Sequence, residues 1–498
     1  MGIIIRQSIK GTLVNYAGAF IGFLTTMIVA TRWLTGEEIG LTRVLFEAAT
    51  LISYFAQLGI TSSAVRFFPR FKHREARHGG FFTYLMLVPA CGTLVVIPLY
   101  MLLEGVVVDY FRDRSSLFVD YIDWVIPLAL FLVYAGVFEI YANLLMRIVI
   151  PRFIREVVTR VLIVAVYLLY GFRAIDLTGF VAGYVLAYGV TLLLHYWYVA
   201  RITPRAARRE RPAAPRATRV EFMKYTSALM IGVLGNAIAA RVDLFMVSGM
   251  LGLASGGIYT IAFFMAAIIE LPSRSITAIS TPVAADALQT GDLPRANLLY
   301  KKVALHQLVA GGFIFLLLWA NIDNAYDVIP NGDSFREGKW VVFYIGLSRL
   351  IVLLLGFGYP LLSFSRYYQW VLYLAPFVSV ATMGANYLLI PRLGITGSAI
   401  ATLLAVVITY AVQQWLVFKK LKGNPYSTGI AKAMALLAAL FGLNALLPAA
   451  GNPWVDGACR TGILCATGAT ALYFLHLSDE LDLLARRLLS RFTKKRKS

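Results

Sequence analysis

Charged side chains inside long apolar stretches are the residues of this sequence best placed to do chemistry. A charged group in hydrocarbon costs at least about 2.5 to 3.5 kcal/mol, so such residues are functional candidates by default. Arg43 and Glu47 stand four positions apart in one apolar stretch, where they can pair on one face of a helix. A self-neutralised structural pair and a binding role both fit that spacing.

Arg241 and Asp243 stand two positions apart in another apolar stretch and therefore point to different faces of a helix. They cannot satisfy each other, so each needs a partner of its own or water, and a functional role is favoured for Arg241. Arg349 has no acidic residue at helical spacing, so it either anchors at the membrane interface or binds a ligand.

Glu139 and Glu270 are isolated acids, and Glu270 precedes Pro272, which can open the backbone hydrogen bonding of a helix. Arginines in both halves of the chain would give a central cavity a positive potential suited to phosphate or pyrophosphate. The candidate residues for binding such an anion are Arg241, Arg43, Arg349 and Arg274. A carboxylate in a low-dielectric cavity can take up a proton at working pH. The candidates for ion coupling are Glu47, Asp243 and Glu270.

Motifs for other chemistry are absent from the sequence. There is no phosphate-binding GxxxxGK[ST] loop, and the five histidines show no metal-ligand spacing. Cys91, Cys459 and Cys465 fall in apolar stretches without metal spacing, so they are interpreted as small packing residues. We therefore expect no enzymatic activity, no metal and no cofactor.

The elements that hold these residues are membrane-spanning helices. Hydrophobic residues make up 59% of the chain and charged residues 14%, against roughly 25% in a soluble domain. About 20 apolar residues at 1.5 Å rise cross a hydrocarbon layer of about 30 Å. The sequence predicts an all-α polytopic membrane protein with about fourteen spans, at 11–31, 41–58, 81–103, 122–144, 153–172, 180–199, 226–249, 257–279, 303–320, 341–363, 370–390, 398–418, 430–448 and 458–475.

The basic residues predict the orientation. Most of the 46 Lys and Arg residues fall at the N-terminus, in the connections after even-numbered spans and in the C-terminal tail. Basic loops stay in the cytoplasm, so both termini are expected there, in a multi-pass protein of the inner membrane whose first span is retained. The net charge of +20 then reflects topology and contact with anionic lipid headgroups. Nucleic-acid binding is disfavoured, because the basic clusters flank spans and lack interleaved aromatic residues.

A weak internal repeat predicts the domain organisation. Leu34, Gly40, Leu41 and Phe46 recur in the same order and spacing as Leu251, Gly257, Ile258 and Phe263, and Thr178–Gly179 recur as Thr396–Gly397. An even number of spans separates the copies, so they should share one orientation. The expected division is a six-helix bundle at 1–200, a basic cytoplasmic linker at 201–225, a second six-helix bundle at 226–420, helices 13 and 14 at 421–476, and a basic amphipathic cytoplasmic tail at 477–498.

Across essentially the whole chain, the sequence resembles the polysaccharide transporter family of the multidrug/oligosaccharidyl-lipid/polysaccharide exporter superfamily. The resemblance rests on 34–71 (LTGEEIGLTRVLFEAATLISYFAQLGITSSAVRFFPRF), 241–285 (beginning RVDLFMVSGMLGLASGGIYT), Pro330 to Gly332, and 391–401 (PRLGITGSAIA). It implies two pseudo-symmetric six-helix bundles around a central cavity that work by alternating access. It also implies that Arg241 matches the charged position of the seventh span, and that Arg43 lies in the cavity-lining second span.

By this resemblance, the expected function is that of an O-antigen type flippase. It would move an undecaprenyl-pyrophosphate-linked oligosaccharide across the inner membrane for lipopolysaccharide or other surface polysaccharide synthesis. Polysaccharide polymerases or assembly proteins are the candidate protein partners. A multidrug or metabolite antiporter of the same superfamily is the alternative, although its cavity should be more acidic. A membrane-embedded glycosyl polymerase is disfavoured, because the longest periplasmic connection, 321–340, is short.

Overall fold

The computed structural model describes residues 2–71, 80–203 and 216–475, and within these ranges every regular element is a helix. The chain divides into two compact units. The first unit holds Met1–Ile261 with Ala375–Gly397, and the second holds Ala262–Leu374 with Ser398–Ser498. The expected all-α class is confirmed.

The first unit consists of long apolar helices joined by short turns. Its helices are Gly2–Leu24, Thr25–Ala30 (a π-helix), Thr31–Trp33, Gly36–Gln57, Ile60–Phe71, Phe81–Arg112, Ser116–Asp120, Ile122–Trp124 (3₁₀), Val125–Leu144, Val149–Phe153, Ile154–Val158 (π), Thr159–Gly171, Leu177–Ile202, Arg216–Ala239 and Val242–Leu251. Two further helices, Leu253–Ala267 and Gln369–Leu421, contain the boundaries between the units.

The second unit has the same character. Its helices are Ile268–Glu270 (3₁₀), Leu271–Gln289, Leu293–Ala320, Ile322–Val328, Gly332–Gly338 (3₁₀), Lys339–Leu355, Gly358–Ser363, Thr428–Leu446 and Pro453–Leu475. The last two helices pack on Leu293–Ala320 through a buried cluster of leucines, Leu316, Leu436, Leu440 and Leu464. A polar contact between them lies near the start of the last helix, where Arg460 Nη1 donates to Asn444 Oδ1 at 3.2 Å.

Twelve helices of the described residues are long and apolar enough to cross a membrane. They account for thirteen of the fourteen predicted spans, because spans 11 and 12 form one helix, Gln369–Leu421, with a kink. The kink lies at Gly394, whose φ of 60° is in the left-handed region that glycine tolerates. The fifth predicted span is the exception. Its helix carries four charged residues: Arg152, Arg155, Glu156 and Arg160.

Helices extend into the predicted cytoplasmic linker from both sides, since Leu177–Ile202 ends and Arg216–Ala239 begins inside the range 201–225. Residues 204–215 of that linker and the predicted tail at 477–498 lie outside the described residues. The division of the chain into two six-helix bundles stays a prediction.

Candidate functional site

The helix of the second span carries the centre of the site. It begins after Thr35, whose hydroxyl accepts a hydrogen bond from the Glu38 backbone while the Glu38 carboxylate accepts one from the Thr35 backbone. This capping box fixes where the helix starts and therefore which face each later residue occupies. One face buries Leu41, Val44 and Leu45 in the core. The face of Arg43 and Glu47 continues as a polar stripe of Thr50, Tyr54 and Gln57 at helical spacing.

Glu47 lies between two guanidinium groups. Its Oε1 atom is 2.6 Å from Arg43 Nη2, and its Oε2 atom is 2.7 Å from Arg241 Nε. The side chains of Glu47 and Arg241 are only 7% and 14% exposed. We call these three residues the arginine cluster. Two cations and one anion leave it with one net positive charge in a poorly hydrated setting, where electrostatic attraction is strong.

Arg241 lies where the helix of the seventh span is broken. Arg216–Ala239 ends before it and Val242–Leu251 begins after it, so its side chain projects from a turn within the span. Its Nη1 atom donates to the Ala237 carbonyl at 2.9 Å, and its guanidinium carbon lies 5.2 Å from the centre of the Tyr54 ring. Broken helices are tolerated at membrane depth where they are buried in protein or line a cavity.

Arg241 also borders a cavity of about 360 Å³ whose other walls are mostly apolar. The remaining lining residues are Leu51, Tyr110, Ile238, Val242, Phe245, Met246 and Met383. The sequence analysis gave Arg241 no identified partner, and the structure supplies Glu47, which lies far away in sequence. A ligand anion at Arg241 must therefore compete with a carboxylate.

Two hydrogen bonds of Asp243 come from residues outside the arginine cluster. Its Oδ2 atom accepts from the Tyr259 hydroxyl at 3.2 Å, and its Oδ1 atom accepts from Asn386 Nδ2 at 2.8 Å. Both donors are neutral, whereas Glu47 faces two cations. Ion coupling through Glu47, Asp243 or Glu270 stays a prediction.

Two further candidates pair with each other in the second unit. Arg349 Nη1 lies 3.0 Å from Glu270 Oε1, although sequence spacing assigned a partner to neither residue. Glu270 ends a 3₁₀ turn, Ile268–Glu270, just before Pro272, so the backbone is irregular where the proline predicts it. Arg274 is exposed and forms no ion pair with the described residues. Pyrophosphate binding by Arg349 and Arg274 stays a prediction.

Three charged residues of the fifth span, Arg155, Glu156 and Arg160, were not predicted from the sequence to be site residues, and they form ion pairs with one another and with Glu139. Arg155 Nη1 lies 2.9 Å from Glu139 Oε2, Arg155 Nη2 lies 3.1 Å from Glu156 Oε1, and Arg160 Nη2 lies 3.0 Å from Glu156 Oε2. Glu139 is therefore not isolated. The sequence signal was the four-residue spacing of Glu156 and Arg160 inside an apolar stretch, which predicts a pair on one helix face.

These charged residues line a cavity of about 500 Å³ within the first unit. The π-helix Ile154–Val158 forms part of its wall and carries Arg155 and Glu156. π-Helical turns inside α-helices occur frequently at functional sites, because the extra residue redirects the side chains. The other lining residues include Thr50, Tyr54 and Gln57 from the stripe on the second span.

Fold and site together define a polytopic helical membrane protein with buried arginine–carboxylate groups inside its spans. A family model described as polysaccharide biosynthesis protein matches residues 4–286, which is more than half of the chain. The chain therefore belongs to the polysaccharide biosynthesis protein family. A search of curated proteins finds no sequence match.

Solved structures share the fold over most of the chain. A lipid II flippase, MurJ, in an inward closed conformation has a TM-score of 0.73 at 11% identity, covering 94% of this chain and 99% of its own. An inward-facing multidrug resistance MATE transporter of the MOP superfamily has a TM-score of 0.60 at 14% identity, covering 82% and 98%. A MOP superfamily transporter from Pyrococcus furiosus, described as having a binding pocket of reverse polarity, has a TM-score of 0.52 at 15% identity, covering 85% and 96%. At these identities the similarity concerns the fold.

Proposed function

We propose that the chain is a flippase that moves an undecaprenyl-pyrophosphate-linked oligosaccharide from the cytoplasmic to the periplasmic leaflet of the inner membrane. The product would feed the synthesis of a surface polysaccharide such as O-antigen. The observation that carries the proposal is the arginine cluster, in which Arg43 and Arg241 share one buried carboxylate. The family supports a role in polysaccharide synthesis, and the flippase MurJ is a structural neighbour.

The chemistry of the cluster suits a pyrophosphate. A guanidinium donates parallel hydrogen bonds to phosphate oxygens, and its attraction to a doubly charged anion is stronger than to the single charge of Glu47. The arriving pyrophosphate would replace Glu47 as the partner of Arg241, while the lipid tail stays in the bilayer. Arg43 and Arg241 lie on the second and seventh predicted spans within one compact unit, so an anion bound by both would connect these two helices.

The pairing of the glutamates argues against the alternative, a cation antiporter that binds its substrate through them, whereas the two hydrogen bonds described for Asp243 come from neutral donors. An organic cation needs acidic partners that are not already neutralised. Four glutamates in the described spans each lie within 3.1 Å of a guanidinium nitrogen: Glu47, Glu139, Glu156 and Glu270.

Access of the glycan to the outer face tests the function. In cells lacking this chain, lipid-linked glycan is expected to accumulate in the cytoplasmic leaflet. After periodate oxidation of the sugars in spheroplasts, a membrane-impermeant hydrazide should then fail to label this glycan. Re-expression should restore labelling, whereas expression of Arg241→Ala should not. Full labelling without the chain would contradict a flippase, and a selective gain in sensitivity to cationic drugs would favour the antiporter.

The proposed orientation has its own test, because the basic residues place the connections 6–7 and 9–10 on opposite sides. A phosphatase active only in the periplasm should be active when fused after Asp333 and inactive when fused after Arg211. A cytoplasmic reporter at the same two positions provides the matched control. The reverse pattern would invert the orientation and with it the direction of transport.

A further inference from the structure

The cavity of about 500 Å³ in the first unit carries paired charges that balance. Arg155 and Arg160 contribute two positive charges, and Glu139 and Glu156 contribute two negative charges, each acid lying within 3.1 Å of an arginine. Such a wall has little net preference for an ion of either sign. Its volume falls in the range of about 300 to 1,000 Å³ that is usual for small-molecule sites.

Two amide side chains in the wall have unused hydrogen-bonding capacity. Gln57 is only 6% exposed, and its side-chain amide forms no hydrogen bond with any other described residue. The Oδ1 atom of Asn143 is buried and likewise has no hydrogen-bond partner among the described residues. An unsatisfied buried polar group costs roughly what a lost hydrogen bond is worth, so these amides indicate a ligand that donates and accepts hydrogen bonds.

Aromatic rings complete the wall. Phe46, Tyr54, Phe131 and Tyr188 line the same cavity. Ring faces bind apolar C–H surfaces, whereas balanced charges and free amides bind hydroxyl and amide groups. A sugar presents both surfaces on one neutral ring. A lipid tail lacks the hydroxyl groups, and a simple cation lacks the apolar face.

The cavity lies next to the arginine cluster along one helix. Phe46 and Glu47 are adjacent in sequence, and Tyr54 both lines the cavity and contacts the guanidinium of Arg241. Two helical turns, roughly 11 Å, separate Glu47 from Tyr54. A pyrophosphate at the cluster would therefore leave the attached sugar within reach of the cavity.

We propose that this cavity is the binding site for the sugar unit next to the pyrophosphate, and that Gln57 and Asn143 recognise it. The inference rests on the proposed function and specifies which part of the first unit selects the glycan. The arginine cluster would bind every pyrophosphate-linked lipid alike, whereas the cavity would discriminate among the attached sugars.

Equilibrium binding to the purified full-length protein, measured directly and separately for two lipids, tests this proposal. The two lipids are undecaprenyl pyrophosphate and lipid-linked glycan extracted from cells that lack this chain. For the wild type, the glycan lipid should bind about tenfold more tightly than the sugar-free lipid, the gain expected from one or two added hydrogen bonds.

The variants Gln57→Leu and Asn143→Leu retain volume but lose the amide groups, and they should abolish most of this tenfold advantage while leaving affinity for the sugar-free lipid unchanged. Gln57→Asn, which keeps an amide, is the second variant if Gln57→Leu does not fold. Gln289→Leu, at an exposed position, is the matched control.

The outcomes separate the two proposals. If the wild type binds both lipids equally, or if the cavity variants weaken both equally, the sugar site is overturned. If the sugar-free lipid does not bind but the glycan lipid does, the sugar site stands and the pyrophosphate site fails. If Arg241→Ala weakens both lipids while the cavity variants weaken only the glycan lipid, both proposals are supported. If neither lipid binds, both are overturned.

Discussion

Replacing Arg241 by alanine is expected to reduce export of the surface glycan by about 10- to 100-fold, the equivalent of losing one or two charge-assisted hydrogen bonds. The guanidinium lies in a helix break, borders a cavity and contacts the polar stripe of the second span through Tyr54. Arg241→Lys should recover only part of the activity, because the charge remains but the planar bidentate geometry is lost. Glycan at the cell surface, normalised to the amount of protein in the membrane, provides the measurement.

Arg241 also neutralises Glu47, so a loss of activity could have a structural origin. In Arg241→Ala the Glu47 carboxylate keeps Arg43 as a partner, which lies 2.6 Å away in the wild type, so the remaining pair is neutral and the cluster loses its net positive charge. The double variant Arg241→Ala with Glu47→Gln restores one net positive charge, that of Arg43. If Arg241 binds substrate, the double variant should be as inactive as the single one.

Recovery of export in the double variant would instead show that Arg241 serves only to neutralise Glu47. The control is Arg112→Ala, which removes an exposed arginine paired with Asp109 at 3.3 Å. Exposed pairs contribute little, about 0 to 1 kcal/mol, so this variant should export normally.

The sequence was informative about pairs within one helix and uninformative about pairs between helices. The spacing of Arg43 and Glu47 predicts their contact, because the helical repeat alone places them on one face. The contacts Arg241–Glu47 and Arg349–Glu270 depend on which helices become neighbours. The spacing of residues along one helix carries no information about which other helices pack against it.

The polar stripe shows how the cavity of the first unit could have been anticipated. Thr50, Tyr54 and Gln57 follow Glu47 at intervals of three and four residues in an otherwise apolar span, and a polar face on a membrane helix predicts a cavity or a polar partner. Arg155 and Glu156 lie close to the start of the predicted fifth span, after a connection that the predicted orientation places in the cytoplasm. A charged residue near the end of a span can reflect either membrane orientation or a binding site, and the sequence does not distinguish the two. Only the structure shows that Arg155 and Glu156 line the cavity.

The helices of the second and eighth spans approach each other so closely at Gly40 and Gly257 that a larger side chain would not fit at either position. A Cβ atom on Gly40 would lie 2.0 Å from the Leu253 carbonyl oxygen, and one on Gly257 would lie 1.9 Å from the Gly36 carbonyl oxygen. The contacts are reciprocal, since Gly36 and Gly40 occupy the positions in the first copy of the sequence repeat that Leu253 and Gly257 occupy in the second. A two-fold relation between the copies produces this kind of reciprocity.

Substituting valine for either glycine is therefore expected to abolish export and destabilise the protein. Small residues allow membrane helices to approach closely. Overpacking destabilises a protein by about 1 to 3 kcal/mol where neighbouring side chains can move away, and by more where the added side chain would overlap backbone atoms. Gly105→Val is the matched control, because Gly105 also lies within a helix but has no atom within 4 Å of its Cβ position. Thermal unfolding in detergent and surface glycan should both be affected in Gly40→Val and Gly257→Val. If Gly40→Val has the unfolding temperature and surface glycan of the wild type, the two helices can move apart without loss of stability or export. The close approach would then have no role in transport.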